Sequence, residues 1–181
     1  MAEPALAALP APAAGWDALR DDPGPDSVRC LGLYARLAAG VAVVTALQPG
    51  GAPSGTTVSS LTSVSARPPL LLVCLRHGSR TLAALTGRGT FAVSLLTERQ
   101  QRMAERFADP AVPHAARFAG LPVRRVLGLP VLADGLGWAV CLVEDVRRYG
   151  DHQLVVGRVR AVEAGDGRPL LWHARSFHAL E

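Results

Sequence analysis

The sequence predicts a mainly β protein, an antiparallel barrel with helices at its periphery. Short apolar runs rich in Val and Leu recur along the chain, about six to eight of them at strand length. Turns bearing Gly and Pro join most neighbours, so successive strands should fold back on one another. Only about three segments have helical periodicity, and no GxGxxG follows the first strand, which disfavours a doubly wound nucleotide fold. At 181 residues and 49% hydrophobic content, the chain is long and apolar enough for one core.

Residues 1–26 are rich in Ala, Pro and Asp and are expected to form a disordered tail, leaving residues 27–181 as the folded domain. Asp26-Ser27 can cap a helix to about Ala39. Its apolar side would carry Val28, Leu31, Tyr34 or Ala35, and Ala38, with Gly40 as its stop. Val41 to Leu47 reads as a buried strand, residues 48–53 as a turn, and Ser54 to Thr62 as the returning strand. Leu70 to Leu75 is a further strand. Ser79 opens a helix to about Thr86, which Gly87-Arg88-Gly89 ends. In Thr90 to Leu96, Phe91, Val93 and Leu95 alternate with Ala92 and Ser94. Thr97 and Gln100 form a capping-box signature for a helix to about Phe107, stopped by Asp109-Pro110. After a loop over residues 108–122 come short strands at Val123–Val126 and Val131-Leu132. Two long strands, Trp138 to Arg148 and His152 to Glu163, meet at Tyr149-Gly150-Asp151. Gly165-Asp166-Gly167 turns the chain into a last strand at Pro169–Trp172.

Composition excludes several chemistries. The chain has no lysine, isoleucine or asparagine, an absence that fits a GC-rich genome. Without lysine there is no Schiff-base chemistry and no phosphate-loop signature. Any side-chain cation on a phosphate must be arginine, or else histidine. Residues 1–26 carry a charge of −4, so the remainder carries +8 of the overall +4. A basic body favours small anionic ligands. The arginines are scattered and aromatics are only 5%, so nucleic-acid binding is not expected. Cys30, Cys74 and Cys141 are far apart, and Cys74 and Cys141 lie in apolar runs. They read as buried thiols of a reducing compartment rather than as disulfide or zinc partners. The N-terminus lacks a basic region and is broken by Pro4, Pro10 and Pro12, so no signal peptide is expected. No apolar run reaches about 18 residues, so no membrane span is expected either. A cytoplasmic location follows from these readings. His77, His114, His173 and His178 lack metal-ligand spacing and read as surface or packing residues. No Gly-x-Ser-x-Gly elbow supports serine hydrolysis.

The most informative stretch is Gly55 through Leu70. Eight of its sixteen residues are Ser, Thr or Gly, and a wholly apolar run, Leu70 to Leu75, follows. Such a segment lays backbone amides and short hydroxyls along one edge. That edge suits a planar ligand with many acceptors and a phosphate tail, though it also reads as a plain Ser/Thr-rich edge strand.

Five segments, in order, resemble the flavin reductase-like family. They are Gly40-Val41-Ala42-Val43-Val44-Thr45; Gly55 through Leu70; Ser79-Arg80-Thr81-Leu82 with Phe91 to Leu96 and Gln100; Phe107 with Arg117-Phe118; and Gly150-Asp151-His152 with Gly157-Arg158-Val159. Arg168-Pro169-Leu170-Leu171 also fits. Ser59 and Arg67 depart from the residues the family often carries, and Arg67 adds a charge near the expected site.

The resemblance implies an FMN-binding split barrel and an NAD(P)H:flavin oxidoreductase. Such an enzyme passes hydride from NADH or NADPH to FMN or FAD, then supplies free reduced flavin to a partner monooxygenase. The main alternative is a flavin-binding protein that retains its flavin without reductase turnover, for electron transfer or redox sensing, and a third is a flavin-dependent oxidase or monooxygenase acting on an organic substrate. A homodimer is implied as well. By the same resemblance, Thr56, Thr57, Val58, Ser59 and Ser60 would line the ring and ribityl chain of the flavin. Ser63, Val64 and Ser65, with Ser79, Arg80 and Thr81 at a helix start, would hold the phosphate end. Ser79 can equally be a plain cap and Arg80 a solvated cation. His152 would sit at the flavin and nicotinamide pocket, unless it is simply an exposed turn residue.

Overall fold

A computed structural model describes residues 22–180. The chain divides into two units, one through Arg36 and one from Leu37. Residues 1–21 of the expected tail lie outside the described residues.

The first unit contributes α1 (Ser27–Tyr34). The Asp26 side chain accepts from Arg29 N–H at 2.9 Å, as the sequence predicts, and satisfies one of the orphan amides of the first turn. The helix is shorter than expected and buries none of its residues. It stops before Ala39 because Ala39-Gly40 is taken up as a strand, β1, pairing with Trp172 and Leu171.

The second unit is mainly β and forms an antiparallel split barrel. Its main sheet contains β2 (Ala42–Leu47), β3 (Pro53–Val58), β4 (Thr62–Ala66), β5 (Pro69–Arg76), β6 (Thr90–Leu95), β9 (Gly137–Tyr149) and β10 (His152–Ala164). They lie in the order β3-β2-β6-β9-β10-β5-β4, every pair antiparallel. The hairpin β7 (Val123–Val126) with β8 (Leu129–Leu132) lies against this sheet. A small sheet joins β1 to β11 (Leu170–His173) and β12 (Ser176–Ala179). Two helices complete the unit, α2 (Arg80–Arg88) and α3 (Gln101–Ala108).

Burial explains the apolar runs. In β2, Ala42, Val44 and Ala46 enter one core cluster with Val73, Phe91, Val155 and the α2 residues Leu82 and Leu85. Val43 faces the other way, into a second cluster with Leu96, Ala104 and Phe107. A strand covered on both faces needs a continuous apolar run rather than alternation. The two buried hydroxyls of this region tie β8 down: Thr45 donates to Pro130 O, and Ser94 accepts from Leu132 N–H at 3.0 Å.

One expected strand is two. The run from Ser54 to Thr62 breaks at Ser59-Ser60-Leu61, where the chain crosses from one sheet edge, β3, to the other, β4. The backbone ladder cannot continue across that seam. A side chain does its work instead: Ser60 Oγ donates to Cys74 O at 2.8 Å and accepts from Cys74 N–H at 3.2 Å. Of the two cysteines expected to be buried, Cys74 is only half-buried and Cys141 fully so; burial raises both thiol pKa values, that of Cys141 to about 12. α2 runs on through Gly87 and Arg88, because only Gly89 takes the left-handed conformation that ends a helix, with φ of 68°. The capping box forms, Thr97 N–H donating to Gln100 Oε1 at 2.9 Å, but on a 3-10 turn that precedes α3.

Close packing makes one glycine indispensable. A Cβ on Gly157 would lie 2.4 Å from Phe91 Cζ and 2.9 Å from Cys141 Cβ. Phe91 is fully buried and cannot retreat. Gly157→Ala is therefore expected to destabilise the protein by about 1–3 kcal/mol through overpacking. Urea unfolding should show a lower midpoint at unchanged m-value.

Candidate functional site

Two adjoining hollows open along the β3 edge. The first, of about 290 Å³, is lined by Thr56 to Ser60, Cys74 to Arg76, Ser79 and His152. The second, of about 510 Å³, shares Thr56, Arg76 and Ser79 with it and continues past Arg80 and Thr81 to the loop residues Pro110 to His114 and Arg117. Together they form one cleft, with β3 as one wall and the β9–β10 turn as another.

Local structure explains why each residue is there. β3 is a sheet edge, so alternate backbone groups face away from β2. Gly55 N–H reaches off that edge to His114 Nδ1 at 3.3 Å, and Gly55 O accepts from Arg117 Nη1 at 2.8 Å. Two residues on, the Thr57 backbone points off the same edge, into the cleft. Ser79 caps α2, its Oγ accepting from Leu82 N–H at 3.2 Å. Gly150, with φ of 56°, makes the two-residue β9–β10 turn and delivers His152 opposite Tyr149 and beside Arg76 of β5.

The structure sorts the predicted hydroxyls by what they already hold. Thr57 Oγ1 donates to Ala104 O of α3 at 2.6 Å, and Ser60 closes the seam. Thr81 Oγ1 lies 3.1 Å from Ser54 Oγ, fully buried. Among the described residues, of the predicted hydroxyls that line the cleft only those of Thr56 and Ser59 have no protein partner. Val58 is a core residue whose backbone lines the wall. Ser63, Val64 and Ser65 do not line this cleft. They lie on β4, where Ser63 borders a separate apolar hollow and Ser65 Oγ accepts from Arg67 N–H.

The electrostatics are one-sided. Among the described residues no carboxylate lines either hollow. Arg76 and Arg80 are exposed and make no salt bridge among the described residues, although Arg76 lies near enough to help hold the Asp151 carboxyl low. Arg117 is 5% exposed and spends its guanidinium on four carbonyls, those of Gly55, Phe107, Asp109 and Val112, at 2.7–3.0 Å. Burial pulls its pKa down. At the other end, His152 Nδ1 meets Asp151 Oδ1 at 2.8 Å, and this hydrogen bond holds the Asp151 carboxyl below its usual range. An ionised carboxylate only accepts, so His152 carries a proton on Nδ1 and turns Nε2 outward.

Sequence reasoning missed Arg76, His114 and Arg117 as parts of this site. Of the surface and packing readings, His114 takes the packing one: it is half-buried against Ser54 and Gly55. Nothing in the local sequence marks it, because its partners lie 59 and 60 positions away. Among the described residues no three His, Cys, Asp or Glu groups cluster as metal ligands, and no helix is long and apolar enough to cross a membrane.

A split barrel with a hydroxyl- and amide-lined edge opening onto exposed arginines defines a class of small β-barrel proteins with a cleft suited to an anionic ligand. The comparisons narrow the class. Residues 34–181 match the flavin reductase like domain, and the chain belongs to that family. It is 41% identical over 131 residues to a probable flavin reductase of Rhizobium meliloti, covering 72% of this chain but 41% of that protein, so this chain spans less than half of that relative's length. It is 43% identical over 139 residues to a flavin reductase (NADPH) of Lentzea aerocolonigenes, covering 76% of this chain and 81% of that one. The solved structure of the styrene monooxygenase flavin reductase from Pseudomonas putida S12 superposes with a TM-score of 0.75 at 33% identity, covering 84% of this chain and 97% of that one.

Proposed function

We propose that this protein is an NAD(P)H:flavin oxidoreductase that reduces FMN or FAD and supplies the reduced flavin to a separate monooxygenase. The observation that carries the reading is the cleft: free donors along its length and, among the described residues, no carboxylate in its lining. A flavin mononucleotide offers acceptors along one ring edge, hydroxyls on its ribityl chain and a dianionic phosphate. The donors present fit that group.

The bound flavin supplies an electrophilic N5 that takes up the hydride of a dihydronicotinamide. The chain's own residues bind and orient. Thr57 N–H and the Thr56 and Ser59 hydroxyls hydrogen-bond the ring edge and ribityl chain. Arg76, Arg80 and the Ser79 end of α2 hold the phosphate. His152 forms the facing wall and positions the nicotinamide. Without deep enclosure, the cleft lets the product leave for its partner. The free thiols Cys30, Cys74 and Cys141 suit a reducing cytoplasm.

The working unit is a homodimer. An apolar hollow of about 350 Å³, bordered by Leu61, Leu71, Leu95, Trp138 and Val162, supports it. Val162 is 69% exposed there, and among the described residues Trp138 Nε1 is buried without a hydrogen-bond partner. Sedimentation velocity should show a dimer; a monomer at micromolar concentration removes this part of the reading.

Anaerobic stopped-flow mixing of the protein with FMN or FAD and NADH or NADPH tests the activity. Loss of the oxidised-flavin absorbance band, with turnover of flavin in excess over protein, is the expected result. Flavin binding without bleaching above the protein-free control would rule the reductase out.

A further inference from the structure

The loop after α3 places a histidine at the arginine end of the cleft. His114 Nδ1 receives Gly55 N–H at 3.3 Å and lies 2.8 Å from Ser54 Oγ. A backbone N–H can only donate, so Nδ1 holds a lone pair and the proton of the neutral ring sits on Nε2. Ser54 Oγ, itself 3.1 Å from Thr81 Oγ1, completes a hydroxyl relay that locks this tautomer. Burial first, then the charges of Arg117 and Arg80, lower the His114 pKa and keep the ring neutral. Among the described residues Nε2 has no protein partner, while the ring lines the larger hollow beside Arg76, Ser79 and Arg80.

We infer that His114 is a phosphate-binding residue of this cleft, donating Nε2–H to a phosphate ester of the bound nucleotide. The inference rests on the nucleotide reading of the cleft proposed above. Two unpaired guanidinium groups supply charge, and a neutral donor with a fixed tautomer adds direction without adding repulsion to the buried Arg117. No carboxylate stands in the hollow to compete for these donors. The phosphate can come from the flavin nucleotide or from the nicotinamide dinucleotide.

The test is His114→Asn, whose Oδ1 can replace the Nδ1 acceptor toward Ser54 and Gly55 but whose amide does not reach the Nε2 position. Flavin-fluorescence titration gives Kd for FMN and for phosphate-free riboflavin. Steady-state assays give KM for NADH and for a phosphate-free N-benzyl dihydronicotinamide. The expected result is about a tenfold weakening of the phosphorylated member of one pair, its phosphate-free counterpart unchanged, as for loss of one hydrogen bond to a charged group. A change in the FMN pair assigns the phosphate to flavin, and a change in the NADH pair assigns it to the dinucleotide. His114→Gln, whose amide can reach the Nε2 position, should recover part of the loss. Unchanged ratios in both pairs, equal weakening within each pair, or no recovery in His114→Gln would overturn the assignment. Wild-type protein that binds FMN and riboflavin, with ratios insensitive to His114, overturns this inference alone. Wild-type protein that binds neither flavin overturns the flavin reading with it.

Discussion

Arg117→Met is expected to lower stability by about 3–5 kcal/mol, because it strips four buried or half-buried carbonyls of their donor at once. Phe107 O and Asp109 O belong to the C-terminal end of α3, where carbonyls lack intrahelical partners and a cation is favourable. Gly55 O belongs to β3 and Val112 O to the following loop. One guanidinium therefore fastens helix, strand and loop together. For a domain of this size the loss corresponds to roughly 10 °C in Tm. Lysine should rescue little, since a point-like ammonium cannot reach the same carbonyls in a planar fork. Thermal unfolding of Arg117→Met and Arg117→Lys checks this. A fall of under about 1 kcal/mol in both would mean the carbonyls are readily rehydrated and the loop is not held by this contact. Because the same loop carries Pro113 and His114 into the cleft, flavin affinity should fall with stability.

His152→Ala is expected to slow the reduction step by about 10- to 100-fold while changing flavin affinity much less. Hydride transfer asks for contact geometry between two rings more than for acid–base chemistry. A wall residue can therefore cost rate without contributing much to flavin binding. His152 lies across the smaller hollow from Thr56 to Ser60, and Asp151 fixes the ring through Nδ1. Asp151→Ala should give a smaller effect in the same direction, by freeing the ring rather than removing it. Anaerobic single-turnover reduction of bound flavin separates rate from affinity. A wild-type reduction rate in His152→Ala would end the positioning role.

Much of the fold was legible because its signals are local. β7 lies at Val123–Val126 as read, and β10 begins at His152 as read. β2 was recognisable because burial on both faces leaves an unbroken apolar run. The break at Ser59-Ser60-Leu61 was not legible. Those residues continue a strand-like pattern, and only the crossing between the two sheet edges forces the ladder to stop. β1 was missed because it is two residues long and held by a partner far along the chain, and β12 because it is only four residues long, although its partner β11 adjoins it. α1 shows the reverse error, in which helical spacing extended a helix that the pairing of Ala39 with Trp172 ends early.

The candidate site divides along the same line. The sequence by itself determined which chemical groups were available: a hydroxyl- and glycine-rich edge strand, a capped helix start after it, a Gly-Asp-His turn, and arginine as the cation for a phosphate in a chain without lysine. These are properties of residue type and short spacing. Which of these groups remain free depends on the three-dimensional packing. It committed the Thr57, Ser60 and Thr81 hydroxyls to α3, to the barrel seam and to Ser54, and left those of Thr56 and Ser59 open. It also buried Arg117 and fixed the tautomer of His114. The physical reason is that a hydrogen-bonding group has few partners to give, and whether the protein or a ligand claims them depends on neighbours that sequence distance does not reveal.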